Sequence, residues 1–63
     1  MPKYINKILV VLNDGSSVVY YYRDPKNAWI KAERLYGLLE SGDSDIKSVT
    51  EEKVAYRGQK TED

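Results

Sequence analysis

Sixty-three residues and 7.3 kDa allow one small core, and ten basic residues against ten acidic ones leave no net charge to drive general binding to nucleic acid or a membrane surface. With neither Cys nor His, disulfides, most metal sites and most nucleophile–base pairs are excluded. The longest apolar run, Ile8–Leu12, is far shorter than the ~20 residues of a membrane span.

In chain order, Met1 to Lys3 reads as a short frayed start and Tyr4 to Leu12 as a strand. Asn13-Asp14-Gly15 predicts a tight turn, because these residues tolerate the positive φ that hairpins require. Ser16 to Arg23 returns as a second strand rich in Val and Tyr. Asp24-Pro25 then starts a helix: Asp caps the free amides, and Pro at the first helical position gives up no hydrogen bond. The helix runs to Glu40 or Ser41 and is stopped by Gly42 and the polar stretch Asp43-Ser44-Asp45. A third strand lies within Ile46 to Arg57, bent or bulged near Glu51-Glu52. Residues 58–63 form a polar tail expected to be disordered, which leaves 1–57 as the domain.

This order predicts an α+β fold, β-β-α-β, with a three-stranded antiparallel sheet in spatial order 2-1-3 and the helix packed on one face. At 100° per residue, Ala28, Trp29, Ala32, Leu35, Tyr36 and Leu39 share one arc, a stripe expected to pack on the sheet. Ile30 lies outside it, on a line with Glu33 and Gly37. A mid-helix Gly costs roughly 1 kcal/mol against Ala, so Gly37 marks either an early bend or a close approach by another chain. Both faces of the sheet are apolar, Ile8, Val10 and Leu12 against Leu9 and Val11, and one helix covers only one of them. A contiguous bare patch is rare on monomers, so a homodimer is expected. Ile30, Gly37, Tyr20 and Tyr22 are its candidate contacts.

Several constellations bear on function. Tyr20-Tyr21-Tyr22 offers a stacking platform for single-stranded bases, though consecutive residues of a strand cannot share a face and no basic groove accompanies them. Between residues 38 and 52, Glu40, Asp43, Asp45, Glu51 and Glu52 oppose Lys47 alone; five acids against one base give a local charge of minus four. This is a solvated surface or a mimic of DNA phosphates. Glu40 stands near a helix C-terminus, where a carboxylate is mildly unfavourable, which suggests another role for it. Trp29, Glu33 and Tyr36 lie a turn apart along the stripe's edge, joining aromatic rings to a carboxylate and a phenol. That edge is either the core's margin or a recognition surface, because Trp and Tyr dominate interface hot spots. Glu51-Glu52 as an acid–base pair lacks a supporting His, Cys or pocket, so catalysis is not expected.

At Ala32-Glu33-Arg34-Leu35-Tyr36-Gly37 the chain resembles the small dimeric uracil-DNA glycosylase inhibitors of tailed bacteriophages, whose helix carries aromatic-Glu-x-Leu-Tyr-Gly. The apolar strand, Asp-Gly turn and Tyr-rich strand of Leu9 to Tyr22 are also similar, and in order the likeness spans about residues 7 to 56. It implies a β-β-α-β homodimer that blocks the DNA-binding surface of the host enzyme, within the cytoplasm of the infected cell. An apolar pocket near the dimer axis would capture the enzyme's protruding leucine, without membrane, cofactor, metal or direct nucleic-acid partner. Glu33 would accept hydrogen bonds from the enzyme's loops, and Tyr36 would line the pocket. Where the family has an aromatic residue this chain has Ala32, so Trp29 is the candidate wall, with Glu40 in the acidic rim. The alternatives are a small phage or plasmid module that inhibits another host protein, or one that binds nucleic acid through its Tyr-rich sheet.

Overall fold

The structure, a computed structural model, describes residues 3–42 and 44–63. Strands β1 (Tyr4–Leu12) and β2 (Ser17–Tyr22), helix α1 (Pro25–Ser41) and strand β3 (Ile46–Ala55) follow one another. The sheet has three antiparallel strands in the order β2-β1-β3, so the fold is the β-β-α-β arrangement read from the sequence. The frayed start at Met1 and Pro2, and the part given to Asp43 in ending the helix and in the acidic cluster, lie outside the described residues.

Local chemistry explains each junction. In the hairpin, Gly15 takes φ 92°, and the Asp14 carboxylate accepts from the Ser16 hydroxyl at 2.6 Å and the Ser16 amide at 2.8 Å. These two bonds hold the Asp14 carboxyl below its usual range. Asp24 is extended at the N-cap, its side chain accepting from the Lys26 amide at 2.9 Å, with Pro25 opening the first turn. Gly42 ends the helix in the left-handed conformation, at φ 73°.

Register decides which side chains share a face. Ile8 faces Tyr20 on β2 and Glu51 on β3, while Val10 faces Val18 and Val49. Ile8 and Val10 bury against Ala28, Ala32 and Leu35 of the helix, with Leu12, Tyr20, Tyr22, Tyr36, Ile46 and Val49 packed around them. The other face carries Lys7, Leu9 and Val11, flanked by Val19 and Tyr21 on β2 and by Thr50 and Glu52 on β3.

Four expectations are corrected. The irregularity in β3 is not at Glu51-Glu52, which pair regularly with Ile8 and Lys7. It lies at Lys47, where Val11 pairs with Ser48 but Leu12 with Ile46. Trp29 does not pack on the sheet: it stands 61% exposed, since the buried stripe centres on Ala28, Ala32 and Leu35 and Trp29 falls on its shoulder. Tyr20 and Tyr22 lie on the helix-covered face and are half-buried, which takes them out of any interface on the open face. The tail is ordered. After a turn at Gly58 (φ 79°), Glu62 donates its amide to the Tyr21 carbonyl at 2.8 Å, and Asp63 accepts from the amides of Arg23 at 3.0 Å and Asp24 at 2.7 Å. Composition hid this, because the tail is held by backbone amides near the start of the helix rather than by apolar burial. Residues 56–63 pass from a bond with Lys3, beside the end of β3, to the edge of β2, and Ile5 at that end of the open face is fully buried.

Candidate functional site

On an ideal helix Trp29, Glu33, Tyr36 and Glu40 fall within about 60° of one another, a line parallel to the axis. The packing of α1 on the sheet sets this line above β3. The Tyr36 hydroxyl donates to Glu51 Oε2 at 2.9 Å, and Trp29 borders a cleft with Glu51 and Lys53 of β3. That cleft, of about 310 Å³, opens between the first turns of the helix and the β1–β3 pair. Its apolar lining comes from Ile8, Ala28, Pro25 and Trp29, and its polar lining includes Asn6 and Glu51. A cavity of roughly 150 Å³ accepts a benzene-sized group, so a leucine-sized side chain fits here.

The electrostatics follow from this geometry. Donation to Glu51 is the main reason the Tyr36 phenol ionises above its ordinary value, with partial burial and the charges of Glu51 and Glu33 acting in the same direction. Tyr36 is thus a neutral donor already engaged within the chain, and Glu33 and Glu40 are exposed acceptors on either side of it. On the opposite flank of the helix, Lys31 Nζ lies 4.5 Å from the centroid of the Tyr20 ring.

The structure brings together Trp29, Glu33, Tyr36 and Glu40, and it separates Ala32 from them. Ala32 is 1% exposed and belongs to the core, so it cannot meet a partner. Ile30 and Gly37 are exposed on the outward side of the helix. A Cβ added at Gly37 would meet nothing within 4 Å, and the helix continues through it to Ser41. Tyr20 and Tyr22 sit beside the helix while Tyr21 lies on the other face, so the three rings form no stacking platform.

Glu51 is the residue whose role sequence reasoning missed. Only the antiparallel register, with Glu51 opposite Ile8 on the helix-covered face, brings it to Tyr36. Its neighbour Glu52 points the other way and pairs with Lys7 at 3.4 Å, so the two carboxylates cannot act on one substrate. Among the described residues no group of three or more potential ligands could hold a metal ion, and no helix is long and apolar enough to cross a membrane. No protein-family model, curated protein or solved structure matches the chain.

Proposed function

We propose that this chain is a protein inhibitor of uracil-DNA glycosylase, acting as a homodimer in the cytoplasm of an infected host cell. It occupies the enzyme's DNA groove and takes the enzyme's apolar wedge residue into a hydrophobic recess. The observation that carries the reading is the line Trp29–Glu33–Tyr36–Glu40 beside a cleft floored by Ile8 and Ala28. An enzyme that flips a base out of a duplex needs an apolar side chain to fill the gap and N–H donors to hold phosphates. A competitor of DNA therefore needs an apolar recess rimmed by acceptors, and this edge of the helix supplies both. Glu33 and Glu40 are the acceptors free of the intrachain bond that engages Glu51, and Trp29 supplies the exposed ring.

A second copy belongs to the proposal because one chain leaves Trp29, at the border of the cleft, 61% exposed. Leu9, Val11 and Tyr21 on the open sheet face are already half-buried in one chain. The decisive experiment follows uracil excision from a uracil-containing duplex as the protein is added. Loss of excision at about one dimer per enzyme, relieved by excess duplex, supports the reading; full excision at large excess defeats it. Glu33→Ala and Trp29→Ala should each weaken inhibition while circular dichroism stays native.

A further inference from the structure

β2 and β3 are the two edges of the sheet, and their sequences equip them differently. β3 carries Lys47, Glu51, Glu52 and Lys53, and its pairing with β1 shifts register near its start. Charges and irregularities of this kind deter a further strand from adding to an edge. β2, Ser-Val-Val-Tyr-Tyr-Tyr over Ser17–Tyr22, has no charge, no Pro and no Gly, and it pairs with β1 without a bulge. An uncharged six-residue run of high β-propensity on an edge is the pattern that recruits other strands. Val18 and Val19 within it are exposed.

Residues 56–63 supply the protection that β2 lacks. This strap is fastened at its base, where Tyr56 donates its amide to the Lys3 carbonyl at 2.9 Å and the Gln59 side chain donates to the Ala55 carbonyl at 3.1 Å. Its tip meets β2 as a fourth strand would. Glu62 donates its amide to the Tyr21 carbonyl, and one oxygen of the Asp63 carboxylate accepts from the Arg23 amide, two residues further along the same edge. The outward backbone groups of an edge strand alternate, so Tyr21 and Arg23 stand in one outer row with Ser17 and Val19. The second carboxylate oxygen accepts from the Asp24 amide, and the Arg23 guanidinium donates to the Asp63 carbonyl at 3.2 Å. Glu62 and Asp63 border a cleft with Lys31 and Arg34, so charge favours this path of the strap. With the Tyr21 and Arg23 end engaged, the clear stretch of the edge is Ser17 to Val19, at the lower limit of strand length.

We propose that residues 56–63 are an edge guard, and that lifting their tip uncovers a surface whose partner is the same edge of a second copy, joined antiparallel through β2. The strand fits itself. Because β2 holds no charge, no register opposes like charges across the joint, and Val and Tyr facing one another are favourable pairs. The tip is held by exposed hydrogen bonds, so it opens without disturbing the core around Ile8 and Ala32.

The test loosens the tip and reads the mass. Glu62→Pro removes the amide bonded to Tyr21, and Asp63→Ala removes the carboxylate bonded to Arg23 and Asp24. In the chain carrying both, light scattering should give a mass that climbs with concentration to at least about twice the parent's. Adding Val19→Lys, which puts a charge in the middle of β2, should return the mass to the parent's. If the double variant loses its helical circular dichroism, Asp63→Ala alone takes its place with the same readings. A loosened, folded chain that keeps the parent's mass at every concentration overturns the proposal. Association that Val19→Lys leaves intact overturns it as well, because the joint then lies elsewhere. Uracil excision enters neither reading, so the guard and the function proposed above stand or fall separately.

Discussion

On the β2 side of the helix the chain closes upon itself. Lys31 covers the Tyr20 ring, Glu62 meets the strand edge, and Asp63 gathers the amides of Arg23 and Asp24 at the start of the helix. On the β3 side the bond from Tyr36 to Glu51 ties helix to strand, and beside it a cleft is bordered by an exposed Trp29. The same core residues support both sides, so the difference is not one of stability in the centre. It lies in where the short chain places its remaining contacts. Sealing one flank with its own tail leaves the other flank available to a partner.

The comparison can be broken most forcefully from below. Ile8→Ala removes the residue on which both flanks rest, 1% exposed under Ala28 and Ala32, and should cost about 2–5 kcal/mol. In a domain of this size that is a large share of the total stability, so thermal unfolding should be shifted far down or lost. A melting point near that of the parent protein would mean that the two sides do not share one core.

Tyr36→Ala tests the open side. Truncating a central aromatic contact typically costs about 2 kcal/mol or more in binding, so inhibition should weaken roughly 30-fold. Tyr36→Phe separates ring from hydroxyl. The raised ionisation of Tyr36 means that the fold favours the neutral phenol. The hydroxyl's contribution is therefore complete below the ordinary value of 10.0 and is lost as pH rises through the higher folded value. Tyr36→Phe should flatten part of the alkaline loss of stability; the rest belongs to Tyr22, which is also raised, chiefly by burial.

Asp63→Asn tests the closed side. Its carboxyl is held down to about 2, first by the Arg23 amide and then by that of Asp24. A depressed carboxylate adds stability that is present above its unfolded value of 3.8 and is lost as pH falls toward 2. In the variant that acid-side slope should shrink. The bonds are exposed, so screening limits the loss to about 1 kcal/mol, a few degrees in melting temperature. Inhibition should be unchanged, because the tail lies on the opposite flank from Trp29 and Tyr36.

The smallest effect is a gain. Gly37→Ala should stabilise by about 0.5–1 kcal/mol, since the added methyl meets open space within the chain. If the outward line of the helix were the dimer contact, the same change would split the dimer. Light scattering at two chain masses, together with a higher melting point, places the contact elsewhere.

The elements were legible because their signals are local. Asp14-Gly15, Asp24-Pro25 and Gly42 act through backbone conformations that their own side chains impose, and the strand periods of two follow directly from composition along the chain. Half of the candidate site was legible for the same reason, since Trp29, Glu33, Tyr36 and Glu40 fall in line on any helix. What required the tertiary structure was every contact between residues far apart in the chain. The sequence placed Trp29 in the core, but whether a residue on the shoulder of a stripe is buried depends on how the helix rolls on the sheet. It passed over Glu51 as a partner of Tyr36, because that bond needs the strand register. It left the tail loose, because a backbone carbonyl on β2 and two backbone amides at the start of the helix have no signature in residue type. Periodicity fixes what each segment is; the register, roll and meeting of segments depend on the summed packing of the whole chain, and the open flank is a product of that packing.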